Sequence, residues 1–326
     1  MFTPLTGEIR LLDPGAGLGM LSAALVASLL AQDTPPTAIT LTTYEIDEAM
    51  LPGLNQMLAD VADVCSRAGV TFVGELRNED FLEASAAAMS GDLFAAGVEP
   101  YDAVILNPPY RKINVDSKER ELCRRIGLET SNIYTAFLAM AAGLLRDGGQ
   151  MVAIVPRSFA NGTYFRPFRE WFTASMIFNR MHVYESRNRA FSDDAVLQEN
   201  VIFHAIKTTD RPAEVIITSS ADPSDLDPLY RKVPYDELIN PDDPAAVIHI
   251  VAGDLRRLRY PSLEQLRRLG ERIGETLHDQ RQLDRIISEE LFAVSGDDQT
   301  DPIRVRERIG EATEALRALG LFRERS

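Results

Sequence analysis

The sequence predicts an α/β chain: a doubly wound, mostly parallel sheet of seven strands followed by a helical tail. Three observations predict it. Short apolar segments alternate with Ala- and Leu-rich segments through the first two-thirds of the chain. One of them, Ala103 to Leu106, is apolar and unalternating, as a strand covered on both faces must be. Motifs bearing glycine, proline and carboxylates fall at the ends of several of these segments, where ligands bind in such sheets.

The elements follow in order. Ile9 to Leu12 is a short apolar strand ending in the turn Asp13-Pro14-Gly15. Leu18 to Leu30, rich in Ala and Leu, is a helix. Ala38 to Tyr44, rich in Thr and Ile, is a second strand. Glu48 to Ala68 is helical, with Pro52 tolerated in its first turn. Val70 to Val73 and Ala103 to Leu106 are the third and fourth strands. Asn132 is an N-cap, and the apolar positions Ile133, Phe137, Leu138, Ala141, Leu144 and Leu145 form a helical stripe that Gly148-Gly149 should stop. Met151 to Val155, Met176 to Tyr184 and Val201 to Ile206 complete the sheet. The domain plan is therefore a catalytic domain over 1–207, a Pro-, Asp- and Ser-rich linker over 208–251, and a helical tail over 252–326.

Composition is that of a globular chain, with 45% apolar and 25% charged residues. Cys65 and Cys123 are far apart and suit a reducing compartment. The longest nearly apolar run, Met20 to Ala31, is too short to span a bilayer, and no basic region precedes an apolar one at the N-terminus. A cytoplasmic location without membrane association is expected. The formal net charge of -15 argues against a generic nucleic-acid coat protein. That charge is unevenly spread. Residues 1–110 carry 3 basic and 15 acidic side chains, whereas residues 111–207 carry 14 basic and 10 acidic ones. His182, His204, His249 and His278 show no metal-ligand spacing, and no metal is expected.

Three motifs carry chemistry. In Asp13-Pro14-Gly15-Ala16-Gly17-Leu18-Gly19, glycines at a strand exit let the backbone approach a ligand, and an acidic residue beside them suits an ammonium better than a pyrophosphate. In Tyr44-Glu45-Ile46-Asp47, a carboxylate at a strand end can accept two ribose hydroxyls, and an apolar neighbour can lie against a base. Asn107-Pro108-Pro109-Tyr110 is the most specific. Its prolines fix the backbone and remove donors, so the carbonyls and the Asn107 side chain face outward as acceptors. Two acceptors on one amino group draw its lone pair toward an electrophile, and Tyr110 offers a face for a planar base.

Together these motifs resemble the S-adenosylmethionine-dependent amino-methyltransferases, and within them the DNA adenine N6-methyltransferases of restriction-modification systems. The resemblance covers roughly residues 9–207 and includes Asn132-Ile133-Tyr134 and Val155-Pro156. It implies a Rossmann-like class I methyltransferase fold with S-adenosylmethionine as cofactor and duplex DNA as partner. Asp13, Gly15 and Gly17 would then hold the methionine part of the cofactor. Glu45 would bind its ribose, Ile46 its adenine face, Asp80 its adenine amine and Phe81 its ring. Asn107 and Pro108 would bind the target amine, Tyr110 would stack on the flipped base, and Phe191 would supply a second aromatic face. Flipping explains the aromatics, because an amine inside the duplex cannot reach the cofactor.

Measured against the family pattern, the chain reads as truncated. Phe2-Thr3-Pro4 is what stands for the family's opening segment, and the acidic residues 208–326 are short for a target-recognition domain. Ile309-Gly310-Glu311 to Leu319-Gly320-Leu321 resembles the opening helix of BsuBI/PstI-type restriction endonucleases, so a cognate endonuclease or specificity domain is an expected partner. Two alternatives remain open at this point. One is methylation of another amine, in protein glutamine or ribosomal RNA; the other is a cofactor-binding subunit that needs a partner.

Overall fold

A computed structural model describes residues 1–90, 99–184, 200–220, 228–243 and 247–248. Residues Met1–Ile250 form one unit. Its strands are β1 (Glu8–Pro14), β2 (Ala38–Tyr44), β3 (Thr71–Arg77), β4 (Tyr101–Leu106), β5 (Leu145–Pro156), β6 (Met176–Tyr184), β7 (Asn200–Lys207), β8 (Glu214–Ser220) and β9 (Leu229–Pro234). The helices are α1 (Met20–Leu30), α2 (Leu51–Arg67), α3 (Phe81–Met89), α4 (Lys118–Arg125), α5 (Ile133–Leu144), α6 (Arg166–Thr173) and α7 (Tyr235–Leu238).

The strands form a single sheet in the order β3-β2-β1-β4-β5-β7-β6-β8-β9. β3, β2, β1, β4 and β5 are mutually parallel, and β7 runs antiparallel between β5 and β6. The expected doubly wound α/β, Rossmann-like architecture is present. Among the described residues the sheet is wider than expected, with nine strands rather than seven. The Pro-, Asp- and Ser-rich stretch expected to be irregular contains β8, β9 and α7. β8 extends the sheet parallel to β6, and β9 closes the edge antiparallel to β8. Here the apolar run Val215-Ile216-Ile217 outweighs its turn-forming flanks.

Neighbouring residues of one strand feed different cores. Leu11, Ala103 and Ile105 pack with Leu25, Leu29 and Leu58 of α1 and α2. Leu12, Val104 and Leu106 pack with Phe81, Phe137 and Leu138 of α3 and α5. Burial on both faces accounts for the unalternating stretches of β1 and β4. α5 is buried on every side from Ile133 to Ala142. The Asn132 side chain accepts the Tyr134 amide at 3.4 Å, as the N-cap expectation requires. The helix ends at Leu144, before the Gly148-Gly149 pair. Lys207 donates to the carbonyls of Gly143 and Leu145 at 3.1 and 2.6 Å, satisfying groups left open at the helix end. No helix among the described residues is long and apolar enough to cross a membrane.

One buried cation anchors the chain that follows β5. Arg169 of α6 is 1% exposed and donates to the carbonyls of Phe159 and Gly162 at 3.1 and 2.7 Å. Ile248 donates its amide to Ala160 at 2.9 Å from another side. Replacing Arg169 with Met removes the donors and leaves the buried Phe159 carbonyl and the part-buried Gly162 carbonyl without them, which should lower unfolding free energy by about 3 kcal/mol. Urea denaturation of the Arg169→Met variant measures this loss.

Candidate functional site

The carboxyl ends of β1, β2 and β4 lie side by side, because β1 pairs with β2 on one flank and with β4 on the other. The chain winds away from β1 in both directions, so this is the crevice where such sheets bind ligands. The glycine loop leaves β1 here. Gly15, Gly17 and Gly19 all have positive φ, at 75°, 56° and 78°. A Cβ on Gly17 would meet nothing within 4 Å, so the loop presents open backbone at that position. A Cβ on Gly19 would collide with Met57 and Leu54 of α2, so that glycine serves helix packing.

Glu45 holds this loop to β2. One carboxylate oxygen accepts the Gly17 amide at 2.7 Å, and the other accepts the Asp47 amide at 2.8 Å. The Tyr44 carbonyl accepts the amides of both Gly15 and Ala16 at 2.9 Å. Asn78, just after β3, donates its side-chain amide to the Glu45 carbonyl at 2.8 Å. Asn78 carries no motif signal, because it lies well past the expected strand end at Val73, whereas β3 runs on to Arg77. Ile46 next to this brace is 66% exposed, a large apolar side chain facing outward.

Asp13 lies beneath the loop. It is 1% exposed and accepts the Ser22 hydroxyl of α1 at 2.6 Å. Burial pushes its carboxyl up to about 7, opposed by the Ser22 hydrogen bond and reinforced by the nearby Glu45 charge. Asp80 caps α3, its Oδ1 accepting the amides of Leu82 and Glu83 at 2.8 and 3.1 Å. Phe81 is buried rather than open to the crevice. Its ring packs 5.3 Å from that of Tyr44 and 5.2 Å from that of Phe137. Phe137 would in turn be the nearest neighbour of a Cβ on Gly15, at 3.5 Å.

Asn107-Pro108-Pro109-Tyr110 leaves β4 beside the glycine loop. Asn107 and Tyr110 are exposed, whereas Pro108 is buried. The Tyr110 hydroxyl lies 2.7 Å from Asn107 Oδ1 and 3.0 Å from the carbonyl oxygen of Ile154 on β5. The Tyr110 ring meets the Tyr134 ring edge-on at 6.1 Å, and Tyr134 packs against Phe165 at 5.7 Å. The buried Tyr134 hydroxyl is 3.1 Å from that of Ser158. This aromatic wall of Tyr134 and Phe165 was not anticipated, because its members come from separate helical segments. Phe191 lies outside the described residues.

The basic stretch after this motif is largely paired with its own acids. Arg111 bonds Glu119 at 2.6 Å, Arg120 and Arg124 share Glu129 at 3.0 and 2.8 Å, and Lys118 bonds Glu83. Surface pairs of this kind are worth about 0–1 kcal/mol, so a stronger anion can compete for them. Among the described residues no group of His, Cys, Asp and Glu is arranged to hold a metal ion.

The profile of the Eco57I restriction-modification methylase family matches residues 69–191. Over 261 residues the chain is 38% identical to the type II methyltransferase M.PstI of Providencia stuartii, covering 79% of this chain and 50% of that protein. The chain is a relative of the restriction-modification methyltransferases. It is also 38% identical over 243 residues to the type II methyltransferase M.BsuBI of Bacillus subtilis, covering 74% and 47% of the two chains. The chain thus spans about half the length of these curated relatives. Its fold is shared with the type IIG restriction endonuclease BpuSI, with a TM-score of 0.57 and 17% identity over 88% of this chain and 37% of that one.

The state of Asp13 couples stability to pH. A carboxyl with a pKa near 7 when folded and an ordinary value near 4 when unfolded binds more protons in the folded state between those limits. Its contribution should therefore be fully present below pH ~4, fall as pH rises to ~7, and level off above. The Asp13→Asn variant should show a flatter stability curve across this window, measured by denaturant titration at a series of pH values.

Proposed function

We propose that this chain is the catalytic part of a DNA methyltransferase of the restriction-modification type. It moves a methyl group from S-adenosylmethionine to the N6 amine of an adenine flipped out of duplex DNA. The observation that carries this reading is the juxtaposition of two features: the outward acceptors of Asn107-Pro108-Pro109-Tyr110 on β4 and the open glycine loop on the adjacent β1. The catalytic unit begins within residues 1–207 and includes β8 and β9.

The residues present fit the cofactor. Gly17 combines positive φ with open space, so backbone can approach the methionine part closely. Gly15 turns the chain into that approach. Asp13, buried with its pKa near 7, gains most from a cationic neighbour such as an ammonium. The Glu45 oxygens each hold one amide and retain capacity for the ribose hydroxyls. Ile46 offers an exposed apolar face for adenine, Asp80 an acceptor for its amine, and Phe81 supports the floor from within the core.

When bound, the cofactor supplies an electrophilic methyl on a sulfonium. The chain's contribution is position and polarisation. Asn107 Oδ1 and the Pro108 carbonyl accept the two amine hydrogens and turn the nitrogen lone pair toward the methyl. Buried Pro108 and its neighbour Pro109 keep the acceptors from relaxing away. Tyr110 stacks on the base, with the Tyr134 ring behind it. Phe191, outside the described residues, is the candidate for a second aromatic face that the family resemblance implies. Duplex DNA is the substrate, and a cognate restriction endonuclease is the functional counterpart.

The Asn107→Ala variant should lose methyl transfer by about 10²–10³-fold, the range for one preorganised polar group at a reacting centre. Its calorimetric affinity for S-adenosylmethionine should be unchanged. Tritiated methyl transfer to random-sequence duplex DNA, followed by mapping of modified bases, measures the loss and names the base. Wild-type transfer to protein or RNA instead of DNA would overturn the reading.

A further inference from the structure

The connection from β5 to α6 takes no part in polarising the amine, yet it is built with care. From Arg157 to Arg169 it holds three arginines and no carboxylate. It folds as two single-turn 3₁₀ helices, Arg157–Ala160 and Thr163–Phe165. Buried Arg169 holds the carbonyls of Phe159 and Gly162 from beneath. Gly162 donates its amide to the Ser158 carbonyl at 3.2 Å, and its carbonyl accepts the Phe165 amide at 3.1 Å. A Cβ on Gly162 would stand 3.0 Å from both the Phe165 ring and the Ser158 carbonyl, so the two turns pack directly on each other. The result is a surface loop of fixed shape.

This loop borders the target pocket. Ser158 places its hydroxyl 3.1 Å from that of Tyr134, and the Phe165 ring packs on the Tyr134 ring at 5.7 Å. Tyr134 in turn meets Tyr110 edge-on at 6.1 Å. Tyr164 precedes Phe165 in the same turn. Phe165 packs inward, whereas Tyr164 is 82% exposed, the most of any large apolar side chain among the described residues. Arg166 follows, paired at 2.7 Å with exposed Glu170, and a phosphate can compete for such a pair. A lone exposed aromatic is ordinary on a protein surface. Here the ring is held rigidly, beside a cation, at the rim of a pocket proposed to take in a base.

A flipped adenine leaves a hole in the base stack, and opening the duplex costs pairing and stacking energy. A flat side chain that enters the hole recovers part of that stacking. We infer that Tyr164 is a wedge: its ring enters the place the adenine leaves, with Arg166 on the neighbouring phosphates. This rests on the DNA-methylation reading above and deepens it by naming what keeps the duplex open. Tyr110 serves the base that has left the stack, and Tyr164 serves the position it left.

The test uses the full chain and a duplex built around the adenine mapped above. Tyr164→Ala should lower methyl transfer by roughly 5- to 150-fold, the worth of one base–aromatic stack, with unchanged affinity for S-adenosylmethionine. Tyr164→Phe, which keeps the ring, should restore most of the rate. Cytosine opposite the target adenine removes much of the cost of opening, so the ratio of wild-type to Tyr164→Ala rates should fall toward unity on the mismatched duplex. A plain backbone contact or a weakened fold lowers both duplexes alike, so an equal ratio on the two overturns the wedge. Wild-type protein gives a second readout. 5-Iodouracil in place of the thymine opposite the target adenine couples under light to an aromatic ring in contact with it. The crosslink should map to Tyr164 by mass spectrometry, and its absence there overturns the wedge whatever the variants' stability. Wild-type protein that transfers no methyl group to duplex DNA overturns the DNA-methylation reading, and the wedge falls with it.

Discussion

The Glu45 carboxylate is the joint on which the crevice depends. Its two oxygens accept amides from Gly17 and Asp47, on opposite sides of the β1–β2 boundary. Glycine at positive φ is permissive and costly to order, so a loop with three such residues needs an external constraint to hold one shape. Charge-assisted hydrogen bonds are the strong kind, and here they come from a side chain only 9% exposed. Asn78 adds a second layer by fixing the Glu45 main chain from beyond β3. A group first read as a ligand contact is thus also the brace that gives the loop its form.

The sheet explains why such groups collect where they do. β1 and β4 bury alternate residues in two separate cores, so both faces of the central strands are largely apolar. The carboxylates and the Asn-Pro-Pro-Tyr motif lie at strand ends, and the winding of the chain brings the ends of β1, β2 and β4 together. The net charge follows the same division. The carboxylates Asp13, Glu45 and Asp80 lie at the strand ends and helix cap of the acidic first block, whereas the basic stretch begins immediately after Tyr110. Its arginines are not bare cations, since Arg111, Arg120 and Arg124 have carboxylate partners. Phosphates approaching that surface exchange one partner for another rather than meeting open charge.

Local signals made the centre of the fold legible, and their absence hid its edges. The strand before Asp13, the strand before Asn107 and the Asn132 cap were readable because an apolar run meets a turn or capping residue at each. β8 was hidden because Pro, Asp and Ser flank its short apolar run and mimic a linker. α3 was missed because its start is signalled only by Asp80, whose capping role competes with the ligand role a motif suggests. Phe81 shows the same limit. A motif places an aromatic near a ligand, but only packing against Tyr44 and Phe137 shows that its ring belongs to the core. The Tyr110–Ile154 contact joins residues 44 positions apart, and no local pattern encodes it.

Asp13 and Glu45 place two carboxylates in unlike surroundings beside the glycine loop. Glu45 accepts two main-chain amides, whereas Asp13 is buried with Ser22 alone, through its hydroxyl and its main-chain amide, opposing the burial. Burial and the Glu45 charge both disfavour ionisation of Asp13, which is why its carboxyl titrates near neutrality. A cation entering beside the glycine loop would reverse both influences, favouring the charged carboxylate and screening it from Glu45. Under the proposed function the ammonium of the cofactor is that cation. Binding would then release the proton Asp13 retains near neutral pH, linking cofactor affinity to proton activity through a residue beneath the surface of the site. The same buried carboxyl that weakens the fold at higher pH would thereby strengthen the cofactor-bound one, so the loop's stability and its selectivity for a cationic ligand have one origin.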